Sequence, residues 1–450
     1  MVSAPPDIPE LVDRVSTNAT WIESLRKSEA RDVANQLVDL PIDGIREVLR
    51  ELTDEQTGEV IMELDPSLQV RLFEEMRLHR VSGIVDEMFL DDAADILGRL
   101  SVERRDAILK NLPAESVEKI TEILSYPEDS AGGIMNPDFV AVLESLTVQE
   151  AVASLRENEV ATSDALFYIY VIDTEARLRG VLRARDLLLC RPDTRVSDVM
   201  IRQVRCVSVN ADQEDIATLF REHHFIALPV VDDFQRLCGV VTSDDVLDVI
   251  EEEATEDMQR MIGLSGEETL ETPWNISLRN RLPWLYVNLA TAVLAGWVVS
   301  LFESTIDKYA VLAVFLPIIA SQGGNAGIQT LTIMVRSMAL GGIEGRKKTR
   351  ILTKELFVAL LTGLATGLAV GLIGWWWRGD LVLGVIACVA LMLNVICAAA
   401  AGVLIPIGLK ALKIDPALAS SIMLTTVTDV FGFLMFLGLA AVGFHYFPPA

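Results

Sequence analysis

Residues 420–436 read SSIMLTTVTDVFGFLMF, a helix-length apolar run with a single carboxylate, Asp429, near its middle. Insertion scales put a mid-membrane Asp at about 2.5–3.5 kcal/mol, so such a group must face water, a cation or a polar partner. Ser421, Thr425, Thr428 and Gly432 recur at helical spacing, and Asp429 follows Thr425 by one turn. The spacing predicts a polar stripe on one helix face, with Met423, Leu424, Val427, Phe431, Leu434 and Met435 filling much of the rest. Two readings stand: a pore lining with the carboxylate as its cation site, or a structural polar residue bonded between helices.

Working outward, the run is one of five. Apolar stretches cover roughly 282–302, 309–335, 356–377, 381–409 and 416–447, and the first four hold no Asp, Glu, Lys or Arg. A spanning helix needs about 20 apolar residues, so each is long enough. Basic residues mark alternate loops: Arg279 and Arg281 before the first span, Arg336, Arg346, Lys347, Lys348, Arg350 and Lys354 between the second and third, Lys410 and Lys413 between the fourth and fifth. The positive-inside rule places those loops and the N-terminal half in the cytoplasm and the C-terminus outside. Trp375, Trp376 and Trp377 suit the outer interfacial belt.

In the second span, Pro317 precedes SQGGNAGIQT, with Gly323, Gly324 and Gly327 around Asn325. This predicts a broken helix whose free carbonyls, with the Asn325 and Gln329 amides, serve a hydrated cation, since irregular backbone at membrane depth is tolerated beside a wet cavity. In the third span, Gly363, Gly367 and Gly371 form a small-xxx-small ladder for close helix packing. Oxygen ligands around one carboxylate suit Mg²⁺, which gives up its waters reluctantly. No His/Cys constellation near the spans points to zinc or copper.

The soluble remainder is acidic. Of 38 basic and 64 acidic side chains, residues 1–270 hold 26 and 56, a net of −30, and residues 271–450 hold 12 and 8, a net of +4. The split excludes a single-domain soluble enzyme. The negative surface disfavours nucleic acid and favours cations. Cys190, Cys206, Cys238, Cys388 and Cys397 form no C-x-x-C pair, which fits a reducing compartment. The N-terminus shows no signal-peptide pattern. No P-loop and no Gly-x-Ser-x-Gly is present, so the sequence predicts no enzyme.

Residues 1–135 carry a twelve-residue period: Leu40, Leu52, Leu64, Met76, Met88, Leu100, Leu112 and Leu124, several followed by a helix starter such as Pro41, Thr53, Asp65, Ser101 or Pro113. One short helix plus a turn fits each unit, so an all-α superhelix is expected. Residues 136–253 are α/β and duplicated: FYIYVIDTEARLRGVLRARDLL (167–188) and ALPVVDDFQRLCGVVTSDDVLD (227–248) each read as strand, Asp turn, strand, helix. The duplication resembles a tandem pair of cystathionine β-synthase (CBS) motifs. Such pairs are regulatory, and some bind adenine nucleotides such as ATP. Thr242 and Asp245, with Arg183 and Asp186 in the first copy, occupy the places that often hold a ribose. Residues 254–280 form an acidic connecting helix, and residues 281–450 a five-helix transmembrane domain.

With YPEDSAGGIMNPDFVAV (126–142), VTSDDVLDVIEEEATED (241–257), QGGNAGIQT (322–330), PIGLKALKIDPAL (406–418) and TVTDVFGFLMF (426–436), the whole multidomain membrane chain resembles the MgtE family of magnesium channels. The resemblance implies a homodimer in the inner membrane, with a Mg²⁺ pore between two membrane domains, closed by Mg²⁺ bound among the cytosolic domains. It implies pore positions at Asp429 and in the stretch Gly323 to Gly327, with Gly324 and Asn325, and an outer acidic position at Asp415; the polar stripe adds Thr425 and Thr428 to the pore. It implies sensor positions at Glu59, Asp91, Asp95, Asp212, Glu214, Asp245, Asp248, Glu253, Glu256 and Asp257. Ile328 and His224 depart from the family pattern, at a polar pore position and an acidic CBS position. Facing acidic surfaces repel, and dications between them remove the repulsion. The rival reading is a cation-coupled secondary transporter with a CBS nucleotide sensor, using Asp429 as its protonation site.

Overall fold

The computed structural model describes residues 25–38, 40–157, 168–266, 268–270, 272–339, 347–418 and 420–447. The expectations on the N-terminal segment, on residues 158–159 of the first CBS copy, on Phe167, on Arg346 and on the last three residues lie outside them. The chain separates into two compact units, Met1–Ile250 and Glu251–Ala450.

Among the described residues, the first unit begins with eight short helices: α1 (Ala30–Leu37), α2 (Ile42–Arg50), α3 (Asp54–Met62), α4 (Pro66–Glu75), α5 (Leu78–Glu87), α6 (Leu90–Arg99), α7 (Val102–Leu109) and α8 (Ala114–Ile123). From α2 on, the N-caps are Pro41, Thr53, Asp65, Arg77, Phe89, Ser101 and Pro113, one every twelve residues. Thr53 closes a capping box with Gln56, and Asp65 accepts from the Ser67 N–H while Pro66 takes the first helical position. The apolar residue of each period therefore sits just before a cap, where Leu40, Leu52, Leu64, Met76 and Leu100 are buried and Met88, Leu112 and Leu124 pack on the same core. Alternate helices pack on one another: α1 on α3, α3 on α5, α5 on α7, α4 on α6, α6 on α8. A single amphipathic turn cannot bury its face alone, so neighbouring units complete one continuous core.

Among the described residues, the duplicated segment gives two three-stranded sheets, β1 (Ala141–Leu143), β2 (Tyr168–Ile172), β3 (Leu178–Arg183) and β4 (Val207–Ser208), β5 (Ala227–Val231), β6 (Leu237–Thr242), each with one parallel and one antiparallel pairing. Helices α9 (Val148–Glu157), α10 (Ala184–Leu189), α11 (Val196–Val199) and α12 (Gln213–His223) accompany them. The copies share their turn chemistry. Asp173 accepts from the N–H groups of Glu175 and Arg177, and Asp232 from those of Phe234 and Arg236, all at 2.8–3.0 Å. Each turn then places a left-handed residue, Ala176 and Gln235, beside its counterpart: Leu178 N–H donates to the Gln235 carbonyl and Leu237 N–H to that of Ala176.

Helix α13 (Ser243–Met261) begins in the first unit and ends in the second, which continues as α14 (Trp274–Ser300), the short α15 (Glu303–Lys308), α16 (Leu312–Ala339), α17 (Lys347–Arg378), α18 (Leu381–Ala411) and α19 (Ser420–Tyr446). Among the described residues, four helices are long and apolar enough to cross a membrane: α14, α17, α18 and α19. The second expected span, α16, is 28 residues long, but its polar middle keeps it outside that set.

The expected break in α16 is corrected. The helix runs unbroken through Pro317 and the glycines, so the carbonyls around Gly324 belong to its internal ladder and are not free ligands. The glycines serve packing instead. A Cβ on Gly323 would collide with the Asn394 amide, and one on Gly327 would lie 2.8 Å from the Leu424 side chain. In α17 the glycine ladder is used as expected: Cβ atoms on Gly363, Gly367 and Gly371 would meet the backbone at Met392, Cys388 and Gly384 of α18, at 3.2, 2.6 and 2.7 Å.

Candidate functional site

Helices α16 and α19 pack against each other and both against α18. Gly323 and Gly432 face the same Asn394 side chain, while Gly327 faces Leu424, so α16 and α19 run antiparallel. That register sets Asn325 and Asp429 at one depth. Asp429 is half-buried, as is Thr425. On α16, Ser321, Asn325 and Gln329 are exposed one turn apart, with Ile328 beside them. Three polar side chains in a row are unsuited to lipid, so this face needs water or a polar partner.

The expected stripe on α19 divides. Thr428 is fully buried and donates to the Thr425 carbonyl at 3.0 Å, and Gly432 is buried against Asn394. One residue is about 100° of helix turn, so Thr428 points into the bundle when Asp429 points to its rim. A buried carboxylate beside α16 is absent from the sequence expectations. Glu355, at the start of α17, accepts from Thr330 Oγ1 of α16 at 3.4 Å. It lies one residue before the apolar run, where it reads as a boundary charge.

In the first unit the acidic residues of α6 meet the start of α13. Asp91 is buried, and Asn136 Nδ2 donates to its Oδ1 at 3.2 Å. Burial, then repulsion from Asp245 and Asp92, raises the Asp91 carboxyl well above the usual range. Burial and the charges of Asp245, Asp248 and Asp244 push Asp92 up to about 7. Asp245 is raised by burial, although it accepts from Thr242 Oγ1 at 2.5 Å. The structure thus joins Asp91, Asp245 and Asp248 and adds Asp92 and Asp244, which were not among the sensor positions the resemblance implies. Asp95 is exposed on the same helix, and Glu59 is exposed on α3. Asp212 caps α12 by accepting from the Glu214 N–H, and both side chains are exposed. Asp186 is engaged by Arg183 at 2.9 Å, and Thr242 by Asp245, so both ribose candidates have intramolecular partners.

In the second unit the end of α13 carries Glu253, Glu256 and Asp257, all half-buried. Asp257 rises to about 6 through burial and the charges of Asp415 and Glu253, which Arg260 opposes. Arg260 pairs with both Glu256 and Asp415. No group of three or more His, Cys, Asp or Glu residues forms a compact metal cage among the described residues.

A divalent cation transporter family model, MgtE, matches residues 316–439, the MgtE intracellular N domain matches 28–129, and CBS domains match 131–192 and 196–252. The magnesium transporter MgtE of Thermus thermophilus is 36% identical over 402 residues, 87% of this chain and 88% of that one. The chain belongs to the MgtE family. The MgtE of Bacillus subtilis is 30% identical over 415 residues, 92% of each chain. A crystal structure of the cytosolic domain of the Mg²⁺ channel MgtE in complex with ATP is similar at TM-score 0.50 and 34% identity, covering 54% of this chain and 98% of that one. As an MgtE protein with several apolar helices of spanning length, the chain is a multi-pass membrane protein with an intracellular-type N domain and a CBS pair.

Proposed function

We propose that the chain is a Mg²⁺-selective channel for magnesium uptake, closed by Mg²⁺ bound to its acidic cytosolic surfaces. The observation that carries the reading is the shared depth of Asp429 and Asn325 on the open faces of α19 and α16. A single carboxylate with amide and hydroxyl oxygens around it suits a cation that keeps most of its waters. In this reading α16 also crosses the membrane, as the second of five spans, and two copies bring their α16 and α19 faces together in a homodimer. Asp429, Asn325 and Thr425 line the path. Gly324 and Thr428 shape it from behind, Gly324 by leaving open space beside α16.

The domain division is 1–135, 136–253, 254–280 and 281–450, with the acidic part and the basic loops cytoplasmic and the C-terminus outside. The sensor positions are Asp91, Asp245 and Asp248, with Asp92 beside them, in the first unit and, separately, Glu253, Glu256 and Asp257 at the end of α13; Asp415 is the outer position. Glu59, Asp95, Asp212 and Glu214 extend the acidic surface. Dications bound there favour the compact state, by linkage. ATP bound near Thr242 and Asp186 is a regulator in this reading, supported by the ATP complex of the related cytosolic domain.

The test is Mg²⁺ flux into vesicles holding the full chain or Asp429→Ala. Loss of flux in the variant supports the assignment, and unchanged flux overturns it. Flux that requires a proton gradient and shows no reversal at the Mg²⁺ equilibrium potential would establish the coupled transporter instead.

A further inference from the structure

The end of α13 is fastened to the α18–α19 loop by a cation that the chain itself supplies. Arg260 Nη1 donates to Asp415 Oδ2 at 2.8 Å, and the same guanidinium pairs with Glu256 one turn earlier. The other Asp415 oxygen is also taken: Oδ1 accepts from the Ala417 N–H at 2.8 Å. The neighbouring residue extends the contact. Met261 packs against the buried cluster of Leu331, Val335, Ala401, Ala417 and Leu424, and its carbonyl accepts from the Ser421 hydroxyl. Just past the helix, Gly263 adopts a left-handed turn, φ +83°, close to Trp284 and Ile422. Gln259 and Glu268 exchange two hydrogen bonds, at 2.8 and 3.0 Å, folding the following segment back on α13.

Without a positive charge, this contact would set Asp415 against Glu256, Asp257 and Glu253, four carboxylates around one junction. Like charges held close in a partly buried site repel strongly. A guanidinium is planar, permanently charged and able to serve two carboxylates at once. It does here what a divalent ion does between acidic surfaces.

We propose that Arg260 is a tethered cation that latches the end of α13 onto the α18–α19 loop and stands in for a divalent ion at Asp415. The inference rests on the gated-channel reading for its consequence and on the Arg260–Asp415–Glu256 geometry for its substance. With the latch in place, docking of this segment needs no bound dication at Asp415, and a Mg²⁺ ion that coordinates Asp415 directly must first displace the guanidinium. Arg260 is a positioning residue: it sets how much Mg²⁺ the docked state requires.

The experiment compares the full-length chain with Arg260→Gln, Arg260→Lys, Asp415→Asn and the Arg260→Gln/Asp415→Asn double variant in detergent and in vesicles. The first readout is protease cleavage between residues 254 and 272 across a Mg²⁺ titration starting in chelator. The native chain and Arg260→Lys are expected to stay protected in chelator. Arg260→Gln is expected to be cleaved at least threefold faster there and to regain protection as Mg²⁺ rises. In the Asp415→Asn background, Arg260→Gln should add little, because the charge it answers is gone. Equal cleavage of the native chain and Arg260→Gln in chelator overturns the proposal, as does an Arg260→Gln effect of the same size in both backgrounds. An Arg260→Gln chain that stays susceptible at all Mg²⁺ levels also overturns it, since the residue would then be structural. The second readout is Mg²⁺ flux at low Mg²⁺, expected to rise in Arg260→Gln. A native chain that passes no Mg²⁺ sinks the channel reading and leaves the cleavage result to decide the latch.

Discussion

Asn394 of α18 donates through Nδ2 to the Ile319 carbonyl of α16 at 3.1 Å, a bond between residues 75 apart in sequence. The amide is fully buried, its Oδ1 has no hydrogen-bond partner among the described residues, and α16 and α19 approach it at Gly323 and Gly432. One buried polar side chain thus sets the spacing of the two helices that carry Asn325 and Asp429. A side-chain hydrogen bond is worth about 1 kcal/mol net, but its geometry is specific.

The glycines at this point are therefore unequal. Gly323→Ala places a methyl group against the amide, whereas a methyl group at Gly324 meets nothing within 4 Å. Overpacking of this kind costs about 1–3 kcal/mol. Thermal unfolding in detergent should show Gly323→Ala clearly destabilised and Gly324→Ala close to the native chain.

The same logic applies between α17 and α18. A Cβ on Gly367 would lie 2.6 Å from the Cys388 carbonyl oxygen, so even alanine must separate the helices. Ala365, two residues earlier, is exposed. Gly367→Ala should lower the unfolding temperature and Ala365→Val should leave it nearly unchanged. The reverse order would show that the two helices do not meet along this face.

The acidic cluster predicts a pH response. Burial and mutual repulsion raise Asp91, Asp92 and Asp245, Asp92 to about 7. A carboxyl raised by folding binds extra protons in the native state, so its contribution is complete below the unfolded pKa, near 4, and is lost as pH rises through the folded value. Protease protection of residues 1–250 in the metal-free chain should therefore fall between about pH 4 and pH 7, and saturating Mg²⁺ should flatten the curve. A flat profile in chelator would place these carboxyls in water.

Neutralising one member of that cluster should mimic part of the cation. Asp92→Asn removes a charge repelled by Asp244, Asp245 and Asp248 without changing side-chain size. The expected result is protection of residues 1–250 at a Mg²⁺ concentration several-fold lower than the native chain needs there, with a weaker pH dependence. A higher Mg²⁺ requirement would make Asp92 an indispensable ligand.

Much of this protein is written locally. The twelve-residue period, the caps that follow it, the duplicated Asp turns and the glycine ladder of α17 each depend on residues within a few turns of one another. Spacing and side-chain type therefore disclose them, as they disclose a lone carboxylate in an apolar run. Tertiary structure decided what depends on partners far along the chain. It kept α16 helical through GGNAG, because Asn394, Leu424 and Gly402 occupy the space its glycines leave. It turned Thr428 into the bundle and left Asp429 at the rim, and it set Asp92 among carboxylates more than 150 residues away in sequence. It also paired Arg260 with Asp415, across 155 residues. Periodicity states which residues share a face. Packing alone decides what that face meets, because burial and charge are set by atoms that sequence neighbours do not supply.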